Sequence, residues 1–270
     1  MLTIDAIRKT FNPASPNEVR ALDGVSLSIA ESSFVVVIGT NGSGKSTLLN
    51  AVAGTFFVDT GRLVLDDTDM TRWPEHRRAA MIGRVFQNPF SGTAPHMTIA
   101  ENLVLAARRG LGRGLNWALR SSVRDELRER VSRLRLGLEH RLDNEIGSLS
   151  GGQRQALTLL MASWLRPKLL LLDEHTAALD PRSAEHVIDL SEEIVRRDKL
   201  TTLMVTHSMQ QASNLGDRLI MMHKGSVLHD FSGAEKARLR PADLLARFES
   251  VRRAELLDES AAAMLRRAYA

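Results

Sequence analysis

The spacing of apolar positions changes several times along this chain, and each change predicts a different element. Leu2-Thr3-Ile4-Asp5-Ala6 and Val25-Ser26-Leu27-Ser28-Ile29 alternate, the pattern of strands with one buried face. Pro13-Ala14-Ser15-Pro16-Asn17 lies between them as a loop, so the N-terminal stretch predicts a small antiparallel sheet. Phe34-Val35-Val36-Val37-Ile38, Leu169-Leu170-Leu171-Leu172 and Leu203-Met204-Val205-Thr206 are short continuous apolar runs, as strands buried on both faces require. Arg62-Leu63-Val64-Leu65 and Ile82-Gly83-Arg84-Val85-Phe86 read as two further strands. Leu219–Met222 and Val227–His229, on either side of a turn at Lys224-Gly225, read as a closing hairpin.

Between these strands the period becomes helical. Leu48–Ala53 reads as one helix and Asp189 to Arg197 as another. Thr98-Ile99-Ala100-Glu101 has the form of a capping box and opens a helix through Ala107. From Ser121, Val123, Leu127, Val131 and Leu134 recur on one helical face, with Glu126 and Arg130 placed as an i,i+4 pair. Residues from about 89 to 155 therefore predict a helical insertion in an α/β chain with a mainly parallel sheet. Within it, Arg108–Gly114 reads as a basic loop, either a solvated connection or a contact for a partner or lipid. Alternating strands and helices predict right-handed crossovers and a ligand at the carboxyl ends of the strands. Residues 1–230 form the main domain on this reading. Residues 231–270 are an Arg-rich helical appendage with Leu244, Leu245, Phe248 and Val251 on one side.

Composition narrows the class rather than the function. A chain of 270 residues can bury a full core, and a net charge of +4 does not indicate a nucleic-acid surface. No cysteine is present, which excludes disulfides and fits a reducing compartment. No basic-then-apolar leader follows Met1, and no apolar run approaches the ~20 residues that span a bilayer. The expectation is a chain soluble by itself, whose membrane role, if any, comes through a partner.

The candidate chemistry is concentrated at strand ends. Gly39-Thr40-Asn41-Gly42-Ser43-Gly44-Lys45-Ser46-Thr47 fits G-x-x-x-x-G-K-[ST] between a strand and a helix, the context in which backbone N–H groups and a helix N-terminus cradle phosphates. Lys45 reaches the β- and γ-phosphates, Ser46 offers its hydroxyl to Mg²⁺, and the ligand is a nucleoside triphosphate. Asp173 and Glu174 end the Leu169–Leu172 strand, Asp173 toward Mg²⁺ and Glu174 toward the attacking water. His207 follows another buried strand and is placed to donate to the γ-phosphate, against the reading of a structural histidine. Gln87 reads as a ligand of Mg²⁺ or of the attacking water, or as a surface glutamine. Phe11 is an aromatic at a strand end, either a stacking surface for adenine or a core phenylalanine. Ser150-Gly151-Gly152-Gln153 makes a second glycine nest at a helix start, and one triphosphate does not need two.

Taken together and in this order, Gly39–Thr47, Gln87, Leu149–Gln153, Asp173-Glu174, Ala177-Ala178-Leu179-Asp180 and His207 resemble the ATP-binding-cassette ATPases over roughly residues 1–230. The resemblance implies a P-loop NTPase core with an N-terminal antiparallel β subdomain and an inserted α-helical subdomain. It implies a head-to-tail dimer that holds two ATP with Mg²⁺, each between one copy's Gly39–Thr47 and the other's Ser150, Gly151, Gly152 and Gln153. It also carries over Phe11 as the adenine-stacking aromatic, Gln87 as the coupling glutamine, Glu174 as the base, Asp180 as a cross-dimer contact and His207 as the γ-phosphate sensor. One departure is His175 in place of the family's proline, which sets a titratable ring beside the base. The Glu-His pair is similar to a subgroup of bacterial importers of amino-acid-like solutes.

The functional expectation is the energising subunit of a bacterial importer. Its partners are transmembrane permease subunits and a solute-binding protein, and its place is cytoplasmic, on the inner face of the membrane. The alternative is a soluble cassette ATPase acting on ribosomes or DNA, whose relatives usually carry two cassettes or a long coiled coil. A GTPase is disfavoured because no Asn-Lys-x-Asp element occurs.

Overall fold

The computed structural model of the chain describes residues 1–110, 121–251 and 253. It opens with β1 (Leu2–Phe11) and β2 (Val19–Ile29), antiparallel, with Leu2 opposite Ile29 and Ile4 opposite Leu27. After β3 (Phe34–Gly39) and α1 (Lys45–Ala53) the chain returns to this sheet as β4 (Thr60–Leu65) and the short β5 (Thr68–Asp69). A four-residue helix α2 (Glu75–Arg78) leads into β6 (Ile82–Val85). Then come α3 (Ile99–Ala107), α4 (Ser121–Ser132) and α5 (Gly151–Ser163) before β7 (Leu169–Asp173). The remainder runs α6 (Pro181–Asp198), β8 (Thr202–Val205), α7 (Met209–Asn214), β9 (Arg218–His223), β10 (Ser226–Ser232) and α8 (Gly233–Arg238).

The main sheet has the order β10-β9-β3-β8-β7-β6 and is parallel except for the β9–β10 hairpin. Its continuous apolar runs have a simple cause. Val35, Val37, Leu169, Leu171, Leu203 and Val205 point into a core shared with α1 and with Leu2, Ile4 and Leu63 of the antiparallel sheet. Their neighbours Val36, Ile38, Leu170, Leu172 and Met204 point into a second core filled from α3, α4, α5 and α6. Each strand is therefore apolar at every position because both of its faces are dry.

Several elements differ from the sequence reading. The strand at Arg62–Leu65 joins the antiparallel sheet, where Leu63 and Leu65 are buried while Arg62 faces solvent. The helix expected from Asp189 begins at Pro181, because the Asp180 carboxylate accepts from Ser183 N at 3.0 Å and proline occupies the first turn. Residues 231 and 232, placed in the helical appendage by sequence, complete β10. In that appendage Leu244 is fully buried while Leu245 is 53% exposed, so the two lie on different faces. Arg109, read as part of a solvated basic loop, instead donates to the Ala162 carbonyl at the end of α5 (3.1 Å). Leu111–Gly114 and residues 254–267 lie outside the described residues.

Arg78 fixes the far end of α1. It is completely buried and donates to the Ala51 and Val52 carbonyls at 2.7 and 2.8 Å, to Trp73 O at 2.8 Å and to Thr71 O at 3.2 Å. Burial lowers its pKa to about 10, so it remains charged at neutral pH and caps the helix where the carbonyls lack partners. Arg78→Met leaves those carbonyls buried and unsatisfied, and we expect a loss of about 3 kcal/mol in urea unfolding, with little recovery in Arg78→Lys.

Candidate functional site

The loop between β3 and α1 is shaped by close backbone approach. A Cβ on Gly39 would lie 2.5 Å from the Met222 carbonyl, and one on Gly44, at φ +98°, would lie 2.4 Å from the Ala21 carbonyl. Gly225 N donates to Ser43 O at 3.0 Å, so the loop is wedged between β2 and the β9–β10 turn. Lys45, almost wholly buried, donates to Gly39 O at 2.7 Å and Thr40 O at 3.0 Å. Burial depresses its pKa, and the Glu174 charge acts in the opposite direction. The Ser43 hydroxyl is buried with no hydrogen-bond partner among the described residues. A cation resting on neutral carbonyls and an orphaned hydroxyl fit an anion arriving at this loop.

The other strand ends converge here. Glu174 takes a left-handed backbone, φ +45°, directly after β7, and its Oε1 lies 2.6 Å from His207 Nε2, which follows β8. Gln211 braces the two segments: Thr206 Oγ1 donates to Gln211 Oε1 at 2.6 Å, and Gln211 Nε2 donates to Thr176 Oγ1 at 3.1 Å. Asp173 Oδ2 accepts from Arg84 Nη2 at 3.0 Å. A cavity of about 720 Å³ opens over Gly39–Ser43, with His207 on one wall and Phe248, from the helical residues 241–251, on another.

The remaining candidates stand around this centre. Gln87 lies just beyond β6, next to Phe86, whose carbonyl accepts from buried Gln155 Nε2 at 3.0 Å. Phe11 ends β1 and meets Phe56 edge to face, centroids 5.3 Å apart. Ser150 caps α5 in a reciprocal capping box with Gln153, both bonds 3.3 Å. None of Ser150–Gln153 lines the cavity over the loop. Gly152 has a local reason to be glycine, since a Cβ there would lie 2.7 Å from Ser183 on α6. Sequence reasoning missed Arg154, buried and donating to Ile146 O, Gly147 O and Leu149 O at 3.1, 2.7 and 3.0 Å, which holds the approach to the nest. It missed Gln155 and Gln211 too.

The model of the "ABC transporter" family matches residues 22–177. The chain belongs to that family. It is 45% identical to a tyrosine transport ATP-binding protein of Clostridioides difficile, over 92% of this chain and 99% of the relative. It is 35% identical to the Fe(3+) ions import ATP-binding protein FbpC of Streptomyces coelicolor, over 89% of this chain and 66% of that longer relative. Among solved structures it resembles the ATP-binding cassette MJ0796, a dimer in a post-hydrolysis state with ADP and phosphate. The TM-score is 0.74 and the identity 27%, over 86% of this chain and 98% of that one. The chain is thus an ATP-binding, ATP-hydrolysing cassette of a transporter.

His175 behaves differently from the expectation of a titratable ring beside the base. Its side chain is 1% exposed and turns to α6, where Ser191 Oγ donates to Val187 O at 2.7 Å and so accepts from His175 Nε2 at 3.0 Å. Burial lowers its pKa to about 4, which keeps the ring neutral. The unfolded chain takes up that proton near pH 6.5 and the folded one only near 4. Stability is therefore complete above the upper value and falls as pH drops between them, by roughly 2 kcal/mol at pH 5. His175→Asn should flatten that acid limb in denaturation measurements and leave the pH profile of kcat unchanged between about pH 6 and 9.

Proposed function

We propose that two copies of this cassette clamp ATP between them and drive a membrane importer of an amino-acid-like solute, tyrosine foremost. The observation that carries the two-copy reading is the second nest. Ser150 and Gly151 present a helix N-terminus of the kind that binds phosphate, with no side chain on the cavity above Gly39–Ser43. A second copy, arranged head to tail, gives that nest a γ-phosphate held by Gly39–Thr47 of the first. Asp180 joins the cross-dimer contact, and Phe11 stacks the adenine.

Within one site Lys45 leaves the Gly39 and Thr40 carbonyls for the β- and γ-phosphates. Glu174 accepts a proton from the attacking water, and His207, at 2.6 Å from Glu174, orients that carboxylate and donates to the γ-phosphate. Ser46, Asp173 and Gln87 would hold Mg²⁺, which neutralises charge on the phosphates. Among the described residues no group of three or more His, Cys, Asp or Glu forms a metal site by itself. That suits an ion held by one or two protein ligands together with phosphates and water.

No helix among the described residues is long and apolar enough to cross a membrane. A cleft of about 370 Å³, lined in part by Phe86, Leu105 and Arg109, offers the membrane subunits a seat on the cytoplasmic face, and Leu105 is 56% exposed beside it. The solute assignment rests on 45% identity to the tyrosine relative over nearly the whole of both chains. The relatives named for iron and sulfate stand at 35% and 34% identity and cover less of their own lengths. A solute-binding protein completes the importer.

Glu174→Gln should keep ATP, lose turnover and accumulate a dimer with Mg²⁺-ATP in light scattering; a monomer under those conditions overturns the two-copy reading. Lys45→Ala should bind ATP at least about tenfold more weakly and not turn over. Cells lacking the chain should take up labelled tyrosine more slowly, with rescue by the native protein and not by Glu174→Gln. Unchanged uptake moves the solute elsewhere and leaves the ATPase reading standing.

A further inference from the structure

Arg84 stands on β6, beside β7, and reaches the metal-facing end of the site. Its Nη2 donates to Asp173 Oδ2 at 3.0 Å and to Asn50 Oδ1 at 2.7 Å, and its Nη1 lies 3.4 Å from Thr55 Oγ1. The guanidinium covers the Phe86 ring at 4.5 Å. Both charged side chains are nearly dry, 12% exposed for Arg84 and 14% for Asp173. Asn50 lies on α1 one turn beyond Ser46, on the same face of that helix. One guanidinium therefore ties Asp173 to the helix that presents the Ser46 hydroxyl, and it neutralises the carboxylate that a divalent cation would seek.

The charge balance explains why a cation is needed there. Asp173 and Glu174 are adjacent, and Lys45 rests on carbonyls with Glu174 as the carboxylate acting on it. Without Arg84, Asp173 would stand uncompensated in a low-dielectric pocket beside a second carboxylate and a hydroxyl. Such a set attracts a free divalent ion whether or not nucleotide is bound.

We propose that Arg84 is a positioning residue that keeps Asp173 neutralised and turned toward α1, so that the divalent metal enters the site only together with the triphosphate. The proposal rests on the reading of Asp173 as the metal-facing carboxylate. Arg84 belongs to no motif of the nucleotide site, and its contact with Asp173 lies 89 residues away in sequence.

The test is Mn²⁺ binding to the nucleotide-free full chain, followed by electron paramagnetic resonance. Arg84→Met and Arg84→Gln should bind Mn²⁺ at least about tenfold more tightly than the native protein. Arg84→Lys, which keeps the charge, should return to native behaviour. The glutamine variant retains an amide donor toward Asn50 and Asp173, so it reports even where the methionine variant fails to fold. Adding Asp173→Asn to Arg84→Gln should abolish the gain. Native-like Mn²⁺ affinity in Arg84→Gln, a gain that survives Asp173→Asn, or a gain retained in Arg84→Lys overturns the proposal. The site reading fails separately, if Asp173→Asn alone leaves Mn²⁺ affinity unchanged with a non-hydrolysable ATP analogue.

Discussion

A parallel sheet buried on both faces can display polar chemistry only at its ends, and in this protein that constraint decides where the candidate site lies. Both faces of β3, β8, β7 and β6 are filled, by α1 and the antiparallel sheet on one side and by α3 to α6 on the other. The phosphate loop, His207, Asp173-Glu174 and Gln87 follow the carboxyl ends of these four neighbouring strands. Adjacent strands are ~4.8 Å apart, so the four sets fall in a short row without any local sequence relation among them. The row is a consequence of strand order, and the two dry cores leave the strand ends as the place for polar groups.

Rigid placement of that row depends on bonds between segments that leave the sheet. Glu174 departs from β7 in a left-handed conformation that is costly for a residue with a side chain, by about 1 kcal/mol or more. The next two residues hold it there: His175 is anchored to Ser191 on α6, and Thr176 accepts from Gln211, which also takes the Thr206 hydroxyl. Glu174 and His207 are thus set relative to each other by one glutamine and one buried histidine. Gln155 performs the same service for the segment of Gln87, by holding the Phe86 carbonyl from α5.

What the chain makes legible is what is encoded locally. Leu169–Leu172 reads as a doubly buried strand because every position is apolar, and Gly39–Lys45 reads as a phosphate loop because its residue pattern stands whole within a few positions between a strand and a helix, although Gly39 and Gly44 meet their closest backbone at Met222 and Ala21. The local pattern is a poorer guide where one residue serves two ends. Asp180 carries a motif reading in the sequence, and in the fold it is also the cap of α6, followed by Pro181, the residue best suited to a first turn. Adjacency in sequence places His175 beside Glu174, yet the left-handed turn at Glu174 carries the chain out of the strand and the imidazole goes inward to α6. Arg84, Arg78 and Gln155 were not legible, because their partners are 89, 27 and 69 residues distant and nothing in a local pattern marks the pairing.

The second nest shows how far packing explains a glycine and where it stops. Gly152 is needed by this chain alone, since α5 and α6 cross too closely there for a side chain, and Arg154 fixes the residues that lead into the helix. Gly151 has no such restriction: it is exposed, and a Cβ would meet Leu179 at an ordinary 3.4 Å. Ser150 Oγ accepts from the Gln153 amide and from no other first-turn donor of α5. Of the four residues, Gly151 and the open helix end are the ones for which the folded monomer supplies no structural requirement. An anion that approaches from outside the chain gives them one.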